Sequence, residues 1–252
     1  MTVLRTLVAE LPGKIGQRVL IQGWVHRRRR LGGVSFLLVR DRSGLAQVVL
    51  AEADVGALLD ALPEETVIMV KGVVTAREQA PGGVELTSPQ VSALSAPAAT
   101  PPVQLWRPTL GAGLPALLDH APTVWRHRTR QALWRLAAAS VHGFRRVLDG
   151  QGFTEIHTPK LVGGATESGA NVFTVDYFGR SAYLAQSPQL YKQIMVGVFE
   201  RVYETGPVFR AEPHDTSRHL AEYVSLDVEL GFIDDHRDVL AMLRSRRQLA
   251  LA

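Results

Sequence analysis

The stretch from Arg201 to Ile233, RVYETGPVFRAEPHDTSRHLAEYVSLDVELGFI, constrains this chain more than any other. Successive side chains of a strand point to opposite faces. In YVSLDVEL the residues Tyr223, Ser225, Asp227 and Glu229 therefore share one face, and Val224, Leu226, Val228 and Leu230 the other. The preceding strand is predicted to carry Arg210 and Glu212 on a common face. Between the two, Pro213 to Leu220 forms a polar loop with His214, Arg218 and His219, longer than a tight hairpin requires. A half-exposed antiparallel sheet alternates in the same way. The polar set here is an arginine, acids and a tyrosine rather than a spread of lysines, which suits ligand chemistry better than solvation.

Upstream, AQSPQLYKQIM from Ala185 to Met195 starts a helix, with Ser187 predicted as N-cap and Pro188 as the first helical residue. Gln189 and Lys192 are three apart and share a face of it. A lysine this early opposes the helix dipole, so it either tolerates a cost of a few tenths of a kcal/mol at the surface or faces an anion. The preceding segment GGATESGANVFTV, Gly163 to Val175, has the small residues of a mobile loop ahead of a strand. From Val124 onward, Leu133, Leu136, Ala137, Val141, Phe144 and Val147 trace an amphipathic helix that breaks at Asp149-Gly150 and is followed by FTEIHTPKLV.

The first hundred residues read differently. VLIQGWVHRRRRLGGVSFLLVRDRSGLAQVVL holds three strand-like runs, and VIMVKGVVTA and GVELTSPQV add two more. Five short strands with basic or glycine turns suit an OB-fold barrel. The basic run His26 to Arg30 beside a strand bearing Phe36 pairs positive charge with a stacking surface, as single-stranded nucleic-acid binding needs. Residues 95–115 are rich in proline and glycine and read as a linker; Gly111-Ala112-Gly113 within them lacks the strand that a nucleotide-binding loop would follow. A length of 252 residues gives about two domains. A net charge of +4 makes polyanions plausible partners, and the absence of cysteine excludes disulfides and thiolate zinc sites. No apolar run is long enough to span a bilayer and no signal-peptide pattern is present, which predicts a cytoplasmic protein without membrane contact.

FRAEPHDTSRHLAEYVSLDVE resembles motif 2 of the class II aminoacyl-tRNA synthetases, in their aspartyl and asparaginyl branch, archaeal-like type. The resemblance implies an all-β OB-fold barrel followed by an α+β catalytic domain, an antiparallel sheet with flanking helices. It also implies roles. Arg210 would hold the ATP α-phosphate and the amino-acid carboxylate, Glu212 would read the adenine amino group, and Tyr223 would stack on the ring. Arg218 and His219 would contact ATP phosphates and the tRNA acceptor end, and Asp227 the substrate ammonium. QSPQLYKQ resembles the family's aspartate-binding segment, giving Gln189 the ammonium side and Lys192 the side-chain carboxylate of L-aspartate. A cationic donor favours aspartate over asparagine, which leaves an asparaginyl enzyme as the nearer alternative. GGATESGANVFTV resembles the loop that closes over the amino acid, making Glu167, and less so Ser168, an aspartate-binding candidate. The helix from Val124 and the proline Pro159 resemble motif 1, which supplies a homodimer interface.

By the same resemblance the barrel is an anticodon-binding domain in which Phe36 stacks on the central anticodon base, Arg29 and Gln47 bond its edge, and His26 and Pro89 bear on the third base. His26, in place of a bulky aromatic, implies that tRNA(Asn) is charged as well as tRNA(Asp). The implied layout is residues 1–95 for the anticodon-binding domain, 96–120 for a linker, and 121–252 for the N-terminal part of the catalytic domain. ATP and Mg2+ are the implied cofactors, with no metal ligand assigned. After Ile233 the family's third motif, G-x-G-x-x-R, is not found, so the chain is expected to be incomplete at its C-terminus and weakly active or inactive. A tRNA-binding remnant without ligase activity is the alternative from another functional class.

Overall fold

The structure is a computed structural model and describes residues 4–31, 34–50, 55–166, 171–214, 216 and 218–247. The chain divides into two units, Met1–Gln131 and Ala132–Ala252. In the first, β1 (Arg18–Leu31), β2 (Val34–Arg40), β3 (Leu45–Leu50), β4 (Val67–Ala76) and β5 (Val84–Ala93) close into a barrel of order β1-β2-β3-β5-β4. Closure leaves no strand edge unpaired. Alternation sends Val19, Ile21, Val25, Leu37, Val39, Ala46, Val48, Ile68, Val70 and Leu86 into its core. Helix α1 (Val55–Ala61) contributes Leu59 to the same core. Gly23 is required where β1 bends across β2, because a Cβ there would lie 2.2 Å from the Arg40 carbonyl oxygen.

The basic run of β1 is split by the strand itself. Arg28 donates to the Leu59 carbonyl at 2.6 Å and Arg30 to Asp60 at 3.3 Å, so these two cap α1. Arg27 and Arg29 stand opposite Leu38 and Phe36 on the outer face. His26 falls at an irregularity in the β1–β2 register between Val25 and Arg27 and is buried outside the barrel core. Pro89, which the resemblance associates with the third anticodon base, lies inside β5, where the β4–β5 register shifts. The turn between those strands carries Pro81.

Residues 96–120 are more than a tether. Val103 and Leu105 bury with Val124, and Leu110, Ala112 and Leu117 pack against them. This small core includes α2 (Leu114–Asp119), begun by Gly113 and Pro115, and α3 (Ala121–Val124).

In the second unit the sheet order is β11-β10-β6, for β6 (Thr154–Glu155), β10 (Arg201–Phe209) and β11 (Glu222–Leu230). β10 runs antiparallel to β11 and parallel to β6. A smaller sheet holds β7 (Leu161–Val162), β9 (Arg180–Leu184) and β8 (Thr174–Tyr177). Helix α4 (Arg128–Asp149) ends at the predicted Asp149-Gly150 break, but Leu148 is its buried residue. Its expected apolar stripe stays open, with Leu133 at 50% and Leu136 at 67% exposure. Behind β10, Leu148, Phe153 and Tyr203 form the core, with Phe144, Val228 and Leu230 against it. Helix α5 (Gln189–Phe199) lies against β10 and β11, and α6 (His236–Arg247) follows.

Candidate functional site

The β10–β11 register pairs Glu204 with Asp227, Gly206 with Ser225, Val208 with Tyr223 and Val202 with Glu229. These residues form one face, as the alternation predicts. Arg210 continues that line past the end of β10, its backbone N–H donating to the Ala221 carbonyl at 3.0 Å. The expected common face for Arg210 and Glu212 is not formed. The Glu212 N–H bonds the Arg210 carbonyl at 2.8 Å, a three-residue turn that takes Glu212 off the strand. The Arg210 guanidinium carbon stands 6.0 Å from the Tyr223 ring centroid, a cation–π distance.

Helix α5 begins one residue later than predicted. Pro188 is its N-cap, while Ser187 Oγ accepts the Gln189 N–H at 3.2 Å and the Pro188 carbonyl accepts the Lys192 N–H at 2.9 Å. This first turn aims Lys192 at the sheet. Lys192 is 5% exposed, and its Nζ lies 3.0 Å from Asp227 Oδ1 and 3.5 Å from Glu229 Oε2. The lysine that opposed the helix dipole thus has its anions, and a buried ammonium requires them. The backbone N–H groups of Gln186, fully buried, and Ser187 donate to the Thr166 hydroxyl oxygen at 3.1 and 3.3 Å, which fixes the loop ahead of α5. Glu167 and Ser168 lie outside the described residues.

Two networks support this face. Glu204, 3% exposed, accepts the Thr158 N–H and hydroxyl, each at 2.8 Å, and pairs with Lys160 at 3.0 Å, tying the segment around Pro159 to β10. On the opposite face the Tyr203 hydroxyl donates to Asp149 at 2.8 Å and Glu155 at 3.3 Å. Burial, then these carboxylates, raise the Tyr203 pKa well above its usual range. Hydrogen bonds from Arg145 hold the Glu155 carboxyl below the usual carboxylate range against its burial. Glu204, Lys160 and Glu229 were given no role from sequence; only Glu229 carried a signal, its place in the polar alternation.

In the loop between β10 and β11, the Thr216 hydroxyl bonds His219 Nδ1 at 2.7 Å, and the rings of His214 and His219 are 5.2 Å apart. Arg218 and His219 are exposed there.

On the barrel, strand pairing places Arg29 opposite Phe36, Phe36 opposite Val49, and Leu38 opposite Gln47, all facing outward. Gln47 Nε2 donates to Glu85 at 2.8 Å, which leaves its carbonyl oxygen an acceptor. Arg29, Phe36 and Gln47 are therefore brought together, and His26 is not. At 8% exposure, His26 sits with Arg40, Glu65 and His127 around it. Burial first, then Arg40, lower its pKa to about 4. Glu65 accepts both Arg40 guanidinium nitrogens at 2.8 and 2.9 Å and Arg126 at 2.8 Å, a buried cluster that sequence reading did not anticipate.

A closed five-stranded barrel with an outward basic and aromatic face, and a strand pair bearing arginine, aromatic and paired acids beside a buried lysine, make a protein of an OB-type barrel followed by an α+β unit. The description tRNA synthetases class II (D, K and N) matches residues 118–246, and an OB-fold nucleic acid binding domain matches residues 19–94. The chain belongs to the class II tRNA synthetases of that family. It is 49% identical over 239 residues to an aspartate–tRNA(Asp/Asn) ligase of Thermus thermophilus, covering 95% of this chain and 55% of the relative. A ligase of the same name from Deinococcus radiodurans is 48% identical, with 94% and 53% covered. The asparaginyl-tRNA synthetase of Pyrococcus horikoshii, solved with asparaginyl-adenylate, superposes with a TM-score of 0.89 at 31% identity, covering 100% of this chain and 59% of that one. A putative aspartyl-tRNA synthetase from Leishmania major gives 0.86 at 32% identity, with 99% and 52% covered. The chain thus spans about half the length of the curated relatives it matches.

Proposed function

We propose that this chain serves aspartate–tRNA ligation: ATP-dependent activation of L-aspartate and transfer to tRNA(Asp), with tRNA(Asn) as a second acceptor. The observation that carries the reading is Lys192, a buried ammonium beside Asp227 and Glu229 on the face that continues to Arg210. The side-chain carboxylate of aspartate can take Lys192 while its ammonium takes Asp227. Asparagine offers the ammonium but no anion to Lys192, which keeps only the longer Glu229 contact once Asp227 turns to the ammonium, and an under-compensated buried charge is costly. Gln189, on the same helix turn, borders the ammonium; Glu167, which lies outside the described residues, is assigned to the ammonium by the family resemblance alone. The α-carboxylate attacks the ATP α-phosphate, forming the aspartyl-adenylate and releasing pyrophosphate. Arg210 stabilises the charge that develops there. Glu212 and Tyr223 hold the adenine, and Arg218 and His219 the phosphates and acceptor end. The terminal adenosine hydroxyl then takes the aspartyl group; positioning and electrostatics suffice, with no protein nucleophile. Among the described residues no group of three or more His, Asp or Glu is arranged to hold a metal ion, so no step is assigned to magnesium.

Arg29, Phe36 and Gln47 read the central anticodon base from residues 1–95, with 96–120 joining them to the catalytic residues of 121–252. His26, buried, acts on the third base through its neighbours; the double tRNA specificity in the names of two relatives supports that assignment. The open face of α4, with Leu133, Trp134 and Leu136, suits a second copy of the chain in a homodimer. Such a function belongs in the cytoplasm, and no helix among the described residues is long and apolar enough to cross a membrane.

Exchange of pyrophosphate into ATP tests the reading. At most weak exchange is expected of this chain, supported by aspartate and not by asparagine, and preference for asparagine overturns the reading in favour of an asparaginyl enzyme. A second reading, an RNA-binding protein without ligase activity, is favoured by the contrast between a closed, filled barrel and a second unit with open apolar faces. Tight tRNA binding without exchange would select it.

A further inference from the structure

The segment after the barrel reaches back to its outer face. Trp106 lays its ring on Arg27, whose guanidinium carbon is 3.7 Å from the ring centroid, and Arg107 stands 5.2 Å from the same ring. Arg27 shares the outer face of β1 with Arg29, next to Phe36 and Leu38. The three belong to one structural piece. Leu105 and Val103 are buried on either side of Gln104, the Arg107 carbonyl bonds the buried His127 Nε2 at 2.8 Å, and Arg107 Nε bonds Gln104. Trp106 and Arg107 are therefore held against the barrel by their own packing.

A guanidinium stacked on an indole is oriented without being neutralised, and its N–H donors stay in the ring-parallel plane, open to phosphate oxygens. The charges around Arg27 are Arg29 and Arg107 against a single acid, Glu64. Like charges held this close favour a polyanion that lies across them. We propose that Arg27, Trp106 and Arg107 form a second RNA-contacting site, one for the phosphate backbone, beside the base-reading face of the barrel. It rests on the anticodon-binding reading, and it differs from that face in kind: Phe36 and Gln47 distinguish bases, whereas this site takes the strand that leaves them, whatever its sequence.

The test is binding of the full chain to tRNA(Asp), and to a transcript altered at the central anticodon base, across a salt series. Arg107→Ala keeps the backbone bond to His127, and Trp106→Leu keeps apolar packing while removing the ring; thermal melting checks that both fold. Arg107→Ala is expected to weaken both RNAs equally, by roughly five-fold at low salt, and to lower the slope of log affinity against log salt by about 0.7–0.9. Trp106→Leu should weaken both RNAs in the same proportion. Phe36→Ala should instead abolish the difference between the two RNAs. Unchanged affinity and slope in Arg107→Ala, with Phe36→Ala still defective, overturns the phosphate site alone. Failure of the unaltered chain to bind either RNA overturns the anticodon reading and this site with it.

Discussion

The two units bury their apolar residues in opposite ways. The barrel closes on itself around a continuous core reaching from Val8 to Leu86. The second unit gathers Leu148, Phe153 and Tyr203 behind β10 and leaves Leu133 and Leu136 on α4, Ile194 and Val198 on α5, and Val224 and Leu226 on β11 exposed. β11 is also an edge of its sheet among the described residues. A closed barrel obtains its stability locally, whereas an open sheet with uncovered helices depends on further surfaces. On the function proposed above, RNA recognition would fall in the self-contained unit and amino-acid activation in the unit that leaves apolar surface open.

Substitutions can break or sharpen this contrast. The largest effect is expected at Glu65, whose removal leaves Arg40 buried without its carboxylate; Glu65→Ala should cost about 3–5 kcal/mol in chemical denaturation of the barrel. Next is Leu37, fully buried: Leu37→Ala should cost about 2–5 kcal/mol. Leu136→Ala, by contrast, should leave the stability of a monomer within about 0.5 kcal/mol and weaken self-association measured by sedimentation.

Acid separates the units further. His26 has a folded pKa of about 4 against 6.5, so the unfolded chain takes up its proton first. Its contribution is full above pH 6.5 and is lost as pH falls toward 4, by up to about 3 kcal/mol. A His26→Phe variant should flatten barrel stability across that window in urea titrations at stepped pH. The smallest effect belongs to the exposed Arg30–Asp60 pair: Asp60→Asn should change stability by less than about 0.5 kcal/mol.

Much of this was legible in the sequence because it is periodic. The five barrel strands, the polar face of β11 and the end of α4 at Asp149 all follow from alternation or helical spacing. Where the period is interrupted, the reading slipped. The register irregularity after Val25 coincides with the burial of His26, Pro89 falls in a strand where the β4–β5 register shifts, and a turn after Arg210 takes Glu212 off the strand face. The proline and glycine content of residues 96–120 concealed the small core of Val103, Leu105 and Val124. Partners far apart in sequence left no local trace: Glu65 meets Arg40 and Arg126 across separations of 25 and 61 residues. The conflict of Lys192 with the helix dipole left a surface lysine and an anion-facing one both open, and only the family resemblance favoured the second; Asp227 and Glu229 were legible by their alternation.

The most direct test of a self-sufficient RNA-reading barrel is equilibrium binding of the chain to tRNA(Asp) transcripts carrying each of the four central anticodon bases, with Phe36→Ala in parallel. The account predicts tightest binding to the native base and, in Phe36→Ala, a loss of about 1–3 kcal/mol that falls on that base. Equal affinity for all four transcripts in the unaltered chain would contradict it.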